Sequence, residues 1–257
     1  MPLQGESYHI FQPYYDMDAS AKDETLFQSP KAFIKNYEKR VAWVNTMIEN
    51  LPDQSNNDYA KFMYLEMMRG MVSGIVFGDA ERSVQARLNT PKFRLHEFHP
   101  QKRMRGVDWT YVGDTMVGTK RLNNIQELVV NVIENKIEGD YIETGVWRGG
   151  ASVYARAVMT MLGEEEKRVS YVCDSFAGLP PGEKSLDKSD KNWDNTPYLE
   201  VSSDVVANNF VKFGLLDSNV VFAKGFFNET MPPLSKHIEK LSIMRLDVSR
   251  MYRVVLC

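Results

Sequence analysis

The sequence predicts an α/β fold: a Rossmann-like parallel sheet wound with helices, preceded by a helical N-terminal region. Three observations carry this reading. Through the first half of the chain apolar residues recur at three-and-four spacing, which places them on one face of a helix. Beyond residue 135 short β-branched and aromatic runs alternate with helical stretches, the order that builds a parallel sheet. Between the first of those runs and the next helix stands a glycine-rich turn, residues 145–150.

The 257 residues are 43% hydrophobic and 25% charged, an ordinary globular balance. The length suits one domain with a helical appendage. Lys and Arg number 31 against 34 Asp and Glu, a net charge of −3. That argues against nucleic acid or an anionic membrane as the main partner. Two cysteines, Cys173 and Cys257, make no disulfide framework and point to a reducing, cytoplasmic setting. The N-terminus lacks the basic start and apolar stretch of a signal peptide. No window approaches the ~20 apolar residues of a membrane span.

Residues 1–30 are polar and aperiodic and read as an N-terminal arm. Residues 31–135 form the expected helical region. Its first helix carries Ile34, Tyr37, Val41, Val44, Ile48 and Leu51 and ends at Pro52. The second, residues 59–77, carries Phe62, Leu65, Met68, Val72, Ile75 and Val76, and its methionines read as adaptable core. Residues 89–118 read as a basic loop and 121–135 as a third helix. Residues 136–257 form the sheet domain, with strands at 141–143, 169–173, 220–223 and 243–246 and a helix at 151–162. A further helix runs from a Ser203 cap to Phe213, and Gly214 ends it. Residues 176–200, rich in Pro, Gly, Asp and Lys, read as an insertion.

The densest chemical signal is GDYIETGVWRGGAS, residues 139–152. Glycines there let the backbone approach a ligand, and the helix that follows presents N–H groups and a positive dipole end. A dinucleotide fingerprint reads G-x-G-x-x-G; this turn reads G-x-x-x-G-G, so that match fails. The next strand ends in Asp174, beyond the ~20-residue spacing of a dinucleotide site. A carboxylate there can still accept hydrogen bonds from both hydroxyls of a ribose. A ligand with a ribose at one end and a charged amino-acid moiety at the other, such as S-adenosylmethionine, fits the pair of features.

Five stretches resemble the macrocin O-methyltransferase family, whose members methylate sugar hydroxyls of antibiotics. They are DTMVGTKRLNNIQ (114–126), GDYIETGVWRGGAS (139–152), YVCDSFAGLPP (171–181), YLEVSSDVVANNFVKFGLLDSNVVFAKGFFNETMP (198–232) and IMRLD (243–247). The resemblance implies a class I methyltransferase fold with a helical N-terminal lid, S-adenosylmethionine as cofactor, and magnesium. It assigns Glu143 and the turn of Gly145, Gly149 and Gly150 to the methionine end of the cofactor and Asp174 to the ribose, and it counts Thr144 and Ser152 among the cofactor-binding residues. It sets Ser175 and Phe176 beside the adenine, Thr115 and Met116 in the lid segment, and Gly225 and Phe226 after the strand flanking the adenine pocket. Asp247 matches a metal ligand. The implied acceptor is a small-molecule hydroxyl, and family members often associate as homo-oligomers.

The chain departs from the family pattern after β-strand residues 243–246. The family continues L-D-G-D, where the second Asp is the proposed base; here Ser249 stands at that position, followed by Arg250. Asp247 also lies close to the last residue, Cys257. The expectation is therefore a sheet whose C-terminal strands are missing, an open edge beside strand four, and a weak or inactive enzyme.

Other candidates read more plainly. His96 and His99, one helical turn apart, read as surface or packing residues for want of a third ligand. Asp187, Asp190 and Asp194 lack EF-hand spacing and read as a solvated loop. Trp193 and Tyr198 are candidates for stacking on a sugar ring. Trp147 reads as packing under the sheet end, and Arg148 either as scaffold or as the partner of an acidic group. Three functions compete: an S-adenosylmethionine-dependent O-methyltransferase, a module that binds the cofactor without chemistry, and an NAD-dependent oxidoreductase, which the glycine spacing disfavours.

Overall fold

The computed structural model describes residues 57–78, 81–85, 92–179 and 197–247. The expected arm at 1–30, the helix ending at Pro52, Asp187, Asp190, Trp193, Asp194 and Ser249 lie outside the described residues.

Helix α1 (Asn57–Val72) buries Leu65, Met68 and Val72 and leaves Met63 and Met67 exposed. Only part of the methionine stripe is therefore core. A small antiparallel sheet follows: β1 (Glu81–Gln85) is central, with β2 (Lys92–His96) and β3 (Trp109–Thr110) on its flanks. Helix α2 (Pro100–Arg105) lies between β2 and β3. The basic loop expected over 89–118 is thus partly regular. His96 sits in a strand and His99 caps α2, so the two are not on one helical turn. Helix α3 (Gly118–Glu134) buries Leu122, Ile125, Val129 and Val132, the stripe its periodicity predicts.

The main sheet begins with β4 (Asp140–Thr144) and α4 (Gly150–Met161), then β5 (Ser170–Asp174) and α5 (Ser203–Lys212). It continues with β6 (Val220–Lys224), α6 (Phe227–Leu234) and β7 (Leu241–Leu246). The strands run parallel in the order β6-β5-β4-β7. The chain enters at β4, steps outward through β5 and β6, then returns to the other side of β4. The order reverses between β4 and β7, and open parallel sheets bind ligands outside the carboxyl ends of the strands at such a point.

Alternation along β4 sorts its side chains to two faces. Tyr141 joins the core formed by α1, α3, α4 and α5, with Val129, Val153, Tyr154, Ala157, Val206 and Phe210. Ile142 joins Tyr171 and Cys173 against Phe227, Met231 and Leu234 of α6. On that second face Met244 and Leu246 of β7 are 46% and 49% exposed. They border a cleft of about 260 Å³ that also includes Ile142, Thr144, Met231 and Leu234.

Helix α6 is an element that the sequence patterns above do not include, and it contains Pro232 and Pro233. They fall in its last turn, where each lacks the N–H that would bond to a carbonyl one turn back, and the helix ends just beyond them. The cap of α5 is Ser202, whose side chain accepts from the Val205 amide at 3.4 Å, one residue before the expected Ser203. Gly214 follows the C-terminal end with φ of 68°, as its position predicts. Among the described residues no helix is long and apolar enough to cross a membrane.

Candidate functional site

The site lies where β4, β5 and β7 end. Residues 145–150 turn the chain from β4 into α4, and their amides bond within the protein. Gly145 donates to the Cys173 carbonyl at 2.9 Å, Gly149 to Val146 at 2.7 Å, and Gly150 to Asp114 at 2.9 Å. Val146 donates to Asp174 Oδ2 at 2.8 Å, with the Trp147 amide 3.4 Å from the same oxygen. The sequence suggested free amides for a ligand; these five are engaged instead. What the glycines provide is close approach. A Cβ on Gly149 would stand 2.5 Å from Val206, and one on Gly150 2.6 Å from the Asp114 carbonyl. Trp147, between them, holds φ of 49° without being glycine, an uncommon conformation that recurs at functional turns.

Asp174 closes the turn from β5. Its Oδ2 takes the amides just named, and its Oδ1 accepts from the Phe176 amide at 3.0 Å. Ser175 Oγ lies 3.3 Å from Oδ1, but its one proton goes to the Gly178 carbonyl at 2.6 Å. Oδ1 therefore keeps acceptor capacity. Phe176, at φ of 51°, buries its ring in the core, 6.1 Å from that of Phe222. It forms a wall here, not an open stacking face. Gly225 donates to the Asp174 carbonyl at 3.0 Å, and Phe226 caps α6.

Glu143 is a buried node, its side chain 1% exposed. One oxygen accepts from Arg245 of β7; the other accepts from Tyr141 at 3.1 Å and from Ser152. Burial pushes its carboxyl above the ordinary range, opposed by Arg245 and Ser152. Arg245 also donates to Asp247 at 2.7 Å. Burial works against the Arg245 charge, yet Glu143 and Asp247 hold its pKa above the usual value. Thr144 turns to the other sheet face, toward the apolar cleft, and its buried hydroxyl has no partner among the described residues.

The segment over the turn is pinned from below. The amides of Asp114 and Thr115 both donate to the Val72 carbonyl, at 2.7 and 2.9 Å. Thr115 Oγ1 accepts from the Val117 amide at 3.3 Å, and Met116 is half-buried beside it. Asp114 pairs with Lys212 at 2.6 Å. Burial raises its pKa, while Lys212 and then Arg148 oppose the rise.

Arg148 therefore combines both roles open to it. Its guanidinium favours ionised Asp114, and it also bonds to the Tyr111 and Gly113 carbonyls at 3.0 and 2.9 Å. It stacks 4.2 Å over Trp147. Tyr198 is not free to meet a sugar. It is buried, stacks on Trp109 at 5.0 Å, and donates its hydroxyl to the Thr110 carbonyl.

Among the described residues no group of three or more His, Cys, Asp or Glu comes together to hold a metal ion. Asp247 is paired with a cation, so the described residues do not make a magnesium site. Sequence reasoning missed Arg245 and Tyr141. The signal available was their alternation with Ile142 and Met244, which sends Tyr141, Glu143 and Arg245 to one side of neighbouring strands.

The profile of the macrocin-O-methyltransferase (TylF) family matches residues 63–255. The chain is similar to an 8-demethyl-8-(2,3-dimethoxy-alpha-L-rhamnosyl)-tetracenomycin-C 4'-O-methyltransferase of Streptomyces olivaceus, at 35% identity over 191 residues, covering 73% of this chain and 69% of the relative. It is similar to the mycinamicin III 3''-O-methyltransferase of Micromonospora griseorubida, at 35% identity over 190 residues, covering 72% of this chain and 71% of the relative. Among solved structures it resembles the O-methyltransferase NovP, at 32% identity and a TM-score of 0.63, covering 73% of this chain and 72% of the other. The matched span takes in the glycine turn, the Asp174 loop and β7 alike, and the parallel sheet is a class I methyltransferase fold, so this chain belongs to the macrocin O-methyltransferase family.

Proposed function

We propose that the protein is an O-methyltransferase that moves a methyl group from S-adenosylmethionine to a hydroxyl of a sugar-containing small molecule. The observation that carries this is the junction of β4 and β5. A tight turn lies against an aspartate that retains acceptor capacity, at the end of β4, which borders the β4–β7 boundary where the strand order reverses. The named relatives, methyltransferases of sugar-bearing compounds, support the acceptor class.

Bound there, S-adenosylmethionine supplies an electrophilic sulfonium methyl. Asp174 Oδ1 would accept a hydrogen bond from a ribose hydroxyl. Phe176 and Phe222 wall the adenine side, and the Asp114–Met116 segment covers the turn. The protein's further task is to hold the acceptor oxygen in line at about 3 Å while the hydroxyl proton passes to a base or to water and S-adenosylhomocysteine departs. A second reading, a chain that binds cofactor without turnover, draws support from Arg245, which holds the Asp247 carboxylate at 2.7 Å.

Calorimetry with S-adenosylhomocysteine tests the reading. The wild-type chain is expected to bind it and to give no heat with NAD. Asp174→Ala removes charge-assisted bonds of ~1.5–3 kcal/mol each, so affinity should fall roughly tenfold or more. Equal affinity in the variant would displace the ribose from Asp174. Methyl incorporation from labelled S-adenosylmethionine into a sugar acceptor then separates turnover from binding alone.

A further inference from the structure

Arg245 stands where two carboxylates meet. It lies on β7 with its side chain 16% exposed. Nη1 donates to Glu143 on β4, and Nη2 donates to Asp247 Oδ2 at 2.7 Å. A guanidinium is flat and stiff, so its two arms keep a fixed angle between the groups they hold. The Glu143 arm reaches inward. The second oxygen of that carboxylate accepts from Ser152, which lies in the first turn of α4 directly behind the glycine turn. The Asp247 arm reaches outward. That side chain is 45% exposed, and its backbone amide donates to the Thr144 carbonyl at 2.9 Å. Two negative charges share one positive charge, so a net negative charge remains. Oδ1 of Asp247, the oxygen Arg245 does not hold, is directed by that grip.

We propose that Arg245 is a positioning residue that couples the cofactor turn, through Glu143, to the Asp247 carboxylate at the open end of the site. The proposal rests on the methyl-transfer reading, for it gives the two ends of that site one shared support. A lysine cannot reproduce it: a single ammonium on a flexible stem keeps the charge but loses the fork.

The test is a mutant cycle in the full chain, read as the dissociation constant of S-adenosylhomocysteine by calorimetry. E143Q, D247N and the pair are compared in three backgrounds: Arg245, R245K and R245Q. With Arg245 present, the two single fold-changes should fail to multiply to the double, by fivefold or more. In R245Q they should multiply within twofold. R245K guards against a misfolded R245Q. It keeps a cation beside Glu143, so its circular dichroism spectrum should match that of wild type, while the coupling between the two acids is lost. A residue that merely supports the fold would shift all affinities without removing that coupling. Single effects that multiply in the Arg245 background, or coupling that survives in R245K, would overturn the proposal while leaving the cofactor reading intact. A wild-type chain that does not bind S-adenosylhomocysteine would overturn both.

Discussion

Gly150→Ala separates two explanations of the glycine turn, a floor for ligand and a seat for neighbouring backbone. Gly150 opens α4. A Cβ there would stand 2.6 Å from both the carbonyl carbon and the oxygen of Asp114, and 2.9 Å from the Thr115 nitrogen. All three are backbone atoms, and their segment is tied to the Val72 carbonyl by two hydrogen bonds, so it cannot swing aside as a side chain would. Overpacking of this kind costs about 1–3 kcal/mol. Loss of the bond from the Gly150 amide to Asp114 adds about 0.5–1.5 kcal/mol. Alanine's helix propensity returns up to about 1 kcal/mol. The net expectation is a loss of about 0.5–4.5 kcal/mol, or roughly 1–18 °C in melting temperature for a chain of this size. Gly163→Ala is the control. Gly163 has φ of 73° and nothing within 4 Å, so the variant bears only the ~1–2 kcal/mol left-handed penalty. Circular dichroism melts of both variants and wild type provide the reading. A G150A variant that melts at or above wild type would refute the packing argument.

Two further outcomes follow from buried titratable groups. Burial, then the Glu143 and Asp174 charges, pushes the Cys173 thiol up to about 12. At about pH 8.5, where an exposed thiol is half ionised, iodoacetamide should leave Cys173 unmodified in the native chain and label it after unfolding. Peptide mass spectrometry reads the difference, and equal labelling in both states would contradict it. Burial raises Asp114 above its ordinary value of 3.8. A carboxyl raised on folding stabilises the native state below its unfolded pKa and loses that contribution as pH rises through the folded value. Melting temperature followed upward from acid through that window should therefore fall more steeply for wild type than for Asp114→Asn. Parallel curves would reject the assignment.

Elements written in local periodicity were legible. The stripe Leu122, Ile125, Val129, Val132 fixed α3, and β-branched runs located all the strands of the main sheet, because burial on one face demands those patterns whatever the neighbours are. Helix α6 was hidden by Pro232 and Pro233, since both are poor helix residues and it is the packing of Phe227, Met231 and Leu234 on the sheet, not propensity, that supports the element. The sheet of β1, β2 and β3 was hidden for a different reason. Its pairing joins Glu81 to His96 and Arg82 to Trp109, a register that no single stretch displays.

The site divides along the same line. The turn after β4 and the aspartate ending β5 could be read from the sequence, but how far each acid is already engaged could not. Glu143 and Asp247 are both carboxylates at strand ends, yet one side chain is 1% exposed and the other 45%. A buried carboxylate must be fully partnered or pay heavily in desolvation, so Glu143 takes Tyr141, Ser152 and Arg245 and becomes part of the scaffold. An exposed one exchanges partners with water at little cost, so Asp247 is the less committed of the two. Asp174 stands between them, with one oxygen spent on the turn and the other retaining capacity. Residue type names the chemistry available at each position. The sheet decides how much of it is already committed before any ligand arrives.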